Sequence, residues 1–97
     1  MITFGLNYDV KQEFVEKFLK VSYEAIELMG TLKGHQDTKL YSDVKKPNSF
    51  LIYSEWETQE DLKNFMRSEA FKTVQTMGIE MLEARPKHKM YETKSMH

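Results

Sequence analysis

Three side chains in this sequence have types that could act on a small molecule: Asn7, Trp56 and His35. An Asn amide or a Trp indole N–H could donate a hydrogen bond to a carbonyl or phenolate oxygen and stabilise charge there. We expect His35 to be the general base, because Asp37 two residues later shares its face of a strand. Each side chain also has a structural interpretation, as a strand-end amide, a core aromatic or a surface histidine, and the sequence leaves both open.

Composition excludes several other classes of function. The chain has 97 residues, with 14 Lys and Arg against 15 Asp and Glu, so its charge does not attract nucleic acid or anionic membranes. It has no cysteine, which excludes disulfides and thiolate metal sites and fits a cytoplasmic protein. The histidines lack metal-binding spacing, and no apolar run approaches the roughly 20 residues that cross a bilayer. We therefore expect no metal, no nucleic acid and no membrane.

Hydrophobic periodicity predicts one α+β domain over residues 1–97. Its order is β-α-β-β-α-β, the ferredoxin-like arrangement of a four-stranded antiparallel sheet with both helices on one face. The predicted elements are strand 2–9, helix 11–29, strands 34–44 and 49–56 as a hairpin, a helix after Thr58 that breaks at Ser68–Glu69 and continues to Met81, and strand 87–94.

The second face of such a sheet is left without cover, because 97 residues provide no further element. An uncovered apolar face favours association. A second copy of the same chain is the simplest cover, so we expect a homodimer that joins sheet face to sheet face.

The stretch SFLIYSEWETQEDLKNFMRSEAFK resembles the antibiotic biosynthesis monooxygenase family. An apolar strand that ends in Trp56, an acidic helix start and the step Ser68-Glu69-Ala70-Phe71 carry the resemblance. Upstream, residues 30–34 occupy the place of a turn in the family. The resemblance implies a dimeric α+β barrel, in which some members oxidise aromatic quinols without metal or flavin and others degrade haem.

The haem-degrading members use an Asn, a Trp and a His, and the resemblance places these on Asn7, Phe65 and Gln75. An amide oxygen is a weak iron ligand compared with imidazole. The resemblance therefore implies that no cofactor is needed, with haem as an open alternative.

The predicted function is cofactor-independent oxidation of an aromatic or quinol-like molecule. The alternative is a non-catalytic dimeric module that binds a small hydrophobic ligand or haem. RNA binding is a further alternative with the same element order, but the strand SFLIYSEW has no basic residue. The expected catalytic residues are Asn7, Trp56 and His35, and the expected ligand-lining residues are Phe65, Met66, Phe71 and Gln75.

Overall fold

A four-stranded antiparallel sheet is the frame of the computed structural model, which describes residues 1–69, 71–72, 79–83 and 87–92. The strand order is β2-β3-β1-β4, which confirms the ferredoxin-like fold. The elements are β1 (Ile2–Asp9), a 3-10 turn (Gln12–Phe14), α1 (Val15–Met29), β2 (His35–Ser42), β3 (Ser49–Trp56), α2 (Gln59–Met66), a second 3-10 turn (Ile79–Met81) and β4 (Lys87–Glu92).

The central strands β1 and β3 bury alternate residues against the helices. We call this side the helix face and the other side the open face. Phe18 of α1 packs between Tyr8 and Phe50, with ring centroids 5.4 and 5.1 Å away. Even-numbered residues of both strands form the helix face: Ile2, Phe4, Leu6, Tyr8, Phe50, Ile52, Ser54 and Trp56. Within the described residues, no helix is both long and apolar enough to cross a bilayer.

Strand β2 is shorter than the predicted range 34–44. Gly34 has a φ of 81°, a left-handed conformation that suits glycine and does not extend a strand. At the other end, a carboxylate oxygen of Asp43 accepts the backbone N–H of Lys45 at 2.8 Å, which turns the chain toward β3.

The two ends of α2 confirm the predicted helix start after Thr58 and the predicted break at Ser68. Thr58 Oγ1 accepts the backbone N–H of Asp61 at 3.1 Å and donates to its carboxylate at 2.9 Å. At the other end of α2, Ser68 Oγ donates to the carbonyl of Phe65 and accepts the N–H of Phe71. Ser68 therefore ends one helical segment and caps the next.

Replacing Gly34 by Ala tests the turn before β2. A Cβ at Gly34 would overlap the side chain of Asp61, which is buried beside the cap of α2. We expect Gly34→Ala to lower the free energy of unfolding by about 2–4 kcal/mol, measured by urea denaturation. Gly30→Ala is the matched control, because Gly30 has a φ of −62°, and its effect should stay below about 1 kcal/mol. Equal effects of the two substitutions would contradict this account.

Candidate functional site

Trp56 closes the core between the sheet and α2. Its side chain is fully buried, and its ring stacks on Phe65 at a centroid distance of 4.8 Å. Its indole N–H donates to Ser54 Oγ at 3.0 Å, and that hydroxyl donates to the carbonyl of Phe4. The hydrogen-bond donor of Trp56 is therefore used inside the protein, and a catalytic role for this residue stays a prediction that the geometry does not favour.

His35 contacts Trp56 edge-to-face, with ring centroids 5.2 Å apart, and its Nε2 is hydrogen-bonded to the hydroxyl of Thr38. A β-bulge between His35 and Asp37 pairs His35 with Trp56 and Asp37 with Glu55. Neighbouring residues of β3 face opposite sides. The expectation that His35 and Asp37 share a strand face is therefore wrong, because the bulge adds one residue.

Asn7 lies on the open face, on the other side of the sheet from Trp56. Its Nδ2 donates to the carbonyl of Phe50 at 3.0 Å and, more weakly, to Ser49 Oγ at 3.4 Å. The N–H groups of this amide are thus directed into the protein. Its oxygen is the atom that a ligand can use. The geometry therefore favours Asn7 as an acceptor from a ligand, whereas the sequence predicted a donor.

A cavity of about 260 Å³ opens beside Asn7 at the end of the sheet where β2 and β3 meet. It combines an apolar wall with hydroxyl groups and one carboxylate. Tyr41 and Leu51 are directly paired across β2 and β3. The lining residues are Asn7, Tyr41, Ser42, Asp43, Ser49 and Leu51.

Sequence reasoning found only Asn7 of this lining. The strand pattern contained a signal for three more residues, since odd-numbered residues of β1 and β3 share a face and Leu51 is the partner of Asn7. Tyr41 follows from its pairing with Leu51. Ser49 is also an odd-numbered residue of β3, whereas Ser42 and Asp43 depend on how the hairpin closes, which alternation does not show.

The predicted ligand-lining residues lie elsewhere. Phe65 and Phe71 are buried in the core at a centroid distance of 5.2 Å, and Met66 packs against that core. Gln75 lies outside the described residues. Asn7 and Phe65 are on opposite sides of the sheet, so the structure does not bring together these two positions that the haem-degrading members use.

The comparisons with known proteins agree with this fold. A sequence model of the family described as antibiotic biosynthesis monooxygenase matches residues 1–77. The chain therefore belongs to the antibiotic biosynthesis monooxygenase family.

Solved structures share the fold over almost the whole chain. A conserved protein from Methanosarcina mazei Go1 superposes with a TM-score of 0.88 and 25% identity, covering 96% of this chain and 92% of that one. SnoaB, a cofactor-independent oxygenase from Streptomyces nogalater, superposes with a TM-score of 0.83 over 97% and 93% of the two chains. At 15% identity, SnoaB is evidence for the fold alone.

Curated relatives include two archaeal proteins that are each named "putative heme-binding protein". The one from Natronomonas pharaonis is 34% identical over 89% of this chain, and the one from Haloquadratum walsbyi is 31% identical over 89%. The chain spans only 14% and 16% of these relatives.

The described cavity is not suited to haem. At about 260 Å³ it lies just below the usual size of small-molecule sites, about 300–1,000 Å³. The lining residues that the structure describes include no imidazole. Of these residues, Tyr41 has a phenol, a group that some haem proteins use as an axial ligand. Among the described residues, no group of three or more acidic or histidine side chains converges as a metal site would require.

The pKa of His35 tests its placement. Burial lowers the pKa of His35 below its ordinary 6.5, and Asp37 partly opposes this. We expect an NMR titration to give a pKa below 6.5, and Asp37→Asn to lower the pKa further. The imidazole of His35 then binds a proton more readily in the unfolded state than in the folded state. The free energy of unfolding should therefore decrease as the pH falls through about 6.5. Asp43→Asn at the far end of β2 should leave this pKa unchanged, and a pKa above 6.5 would contradict the burial.

Proposed function

We propose that this domain oxidises a small aromatic, quinol-like molecule with O2, without metal or flavin, in the cavity beside Asn7. The cavity is the observation that carries the proposal. Membership of the monooxygenase family supports the reaction class, and the absence of cysteine is consistent with the cytoplasmic location that we propose.

The size and lining of the cavity favour a small, flat ligand. A volume of about 260 Å³ suits one or two rings. Leu51 and the Tyr41 ring give such a ring an apolar contact, while the Asp43 carboxylate and the Asn7 oxygen can meet a polar substituent. This combination is typical of sites that orient a small molecule by a few polar groups.

The proposed reaction is balanced with O2 as the sole co-reactant. A phenol with a free para position gives up four electrons, one oxygen atom enters at that carbon to form the quinone, and the other leaves as water. The step begins with loss of the phenolic proton. His35 is about 20 Å along β2 from Ser42, so it does not reach the cavity. Asp43 replaces His35 as the candidate proton acceptor.

A second copy of the chain is proposed to cover the open face. Tyr53 lies on this face opposite Gly5, and Tyr41 beside the cavity is 47% exposed. The described helices contact the other face. A partner packed on Tyr53 and Leu51 would hide apolar surface and keep water away from the cavity.

The alternative is that the domain binds its ligand without turnover. The same cavity supports this alternative, and the two differ only in whether O2 is consumed after binding. Binding with no O2 uptake would favour the non-catalytic module.

Leu51→Trp tests the cavity as the site of oxidation. The indole would fill the space beside Asn7. We expect metal-free protein to consume O2 with a member of a panel of phenols and naphthols that have a free para position, measured with an oxygen electrode, and Leu51→Trp to reduce kcat/KM at least about tenfold. Leu28→Trp, at a half-exposed position of α1, is the matched control and should keep full activity. If no member of the panel supports O2 uptake, the oxygenase proposal is wrong.

Tyr53→Asp tests the proposed homodimer. We expect sedimentation equilibrium to show a dimer at micromolar concentration, and a charge at Tyr53 to shift the protein to a monomer, because it would be buried between the two sheets. Tyr23→Asp on the exposed side of α1 should remain dimeric. A wild-type monomer would exclude the sheet-to-sheet arrangement.

A further inference from the structure

Asn7, Ser42 and Asp43 offer hydrogen-bond acceptors to a ligand in the cavity, and the hydroxyls of Tyr41 and Ser49 are its donors. Asn7 directs its N–H groups to the Phe50 carbonyl and Ser49 Oγ, which leaves its oxygen for a ligand. The hydroxyl of Ser42 donates to the carbonyl of Pro47 at 3.1 Å, which leaves only its lone pairs. A ligand group placed here therefore meets acceptors on two sides.

Asp43 adds a negative charge to this set. Its backbone N–H donates to the carbonyl of Ser49 at 2.9 Å, and its Oδ1 accepts the N–H of Lys45. These two bonds fix the carboxylate at the cavity rim and leave Oδ2 for a ligand. Among the described residues that line the cavity, Asp43 is the charged one, and none is Lys or Arg.

The two lysines of the hairpin turn, Lys45 and Lys46, do not cancel this charge inside the cavity. Lys46 pairs with Glu83 at 3.3 Å and with Asp9 at 3.8 Å, on residues outside the lining. Lys45 and Asp43 are both exposed to solvent, where the interaction between their charges is screened. The cavity is therefore expected to attract a cation or a neutral donor and to disfavour an anion.

We propose that the ligand of this cavity carries a hydrogen-bond donor, either a phenolic O–H or a protonated amine, on a small aromatic ring, and that Asp43 determines this specificity. The inference rests on the proposed binding site, but not on turnover. A carboxylate accepts a charge-assisted bond from such a group. Asp43 would repel a ligand carboxylate. Such a carboxylate also has no hydrogen to donate to the Asn7 oxygen.

Three naphthalenes with one substituent each separate the possibilities: 2-naphthol as neutral donor, 2-naphthylmethylamine as cation and 2-naphthoate as anion. Their binding is measured by NMR titration at neutral pH, with the amide signals of Ser42, Ser49 and Leu51 reporting the cavity. We expect the naphthol and the amine to bind at least about tenfold more tightly than the naphthoate, since a carboxylate hydrogen bond is worth more than 1.4 kcal/mol.

Asp43→Asn removes the charge and keeps an oxygen for the Lys45 N–H, so the turn should be preserved. We expect this variant to reduce the preference for the amine over the naphthoate to about threefold or less. Asp37→Asn removes the same charge from β2 outside the cavity lining and should keep the wild-type preference.

The outcomes distinguish this inference from the proposed function. Cavity signals that shift with 2-naphthoate as readily as with the other two ligands would overturn the inference and leave the binding site in place. An unchanged preference in Asp43→Asn would overturn the role of Asp43. If none of the three ligands moves the cavity signals, the binding site is wrong and the inference fails with it.

Discussion

The two-residue period of the central strands determines which side chains of this protein can meet. β1 and β3 pair in one register over their full length, from Ile2 with Trp56 to Asp9 with Ser49. A slip by one residue would turn the buried row of aromatic and aliphatic side chains to the open face. The register is therefore held by the core, and Asn7 lies beneath the sheet, away from Trp56, as a consequence of that packing.

The fold could be predicted from sequence because its signals are local and agree with one another. The alternation in SFLIYSEW, the helical stripe of α1 and the caps at Thr58 and Ser68 each indicate the element that the structure contains. The site could not be predicted in the same way. It depends on contacts between residues such as Asn7 and Ser49, which are distant in sequence and meet only when β1 pairs with β3. The bulge at His35 likewise has no signal in the residue types around it.

Family membership and site chemistry give different kinds of information here. The chain shares its fold with an oxygenase at 15% identity, and folds of this kind support many activities. The haem-degrading positions illustrate the difference, because Asn7 matches by residue type and yet faces away from Phe65. Residue identity at one position is thus weaker evidence than the side of the sheet on which that residue lies.

The location of the cavity links the two proposals about binding and assembly. The hairpin end that holds Asp43 is also part of the surface that a second copy would cover, since Leu51 belongs both to the cavity lining and to the open face. Covering the cavity would remove water from around the Asp43 carboxylate and strengthen its bond to a donor. A ligand that neutralises this carboxylate would in turn reduce the cost of burying it between two sheets. Assembly and ligand binding would then stabilise each other, since both act on the Asp43 carboxylate, which is exposed in the single chain.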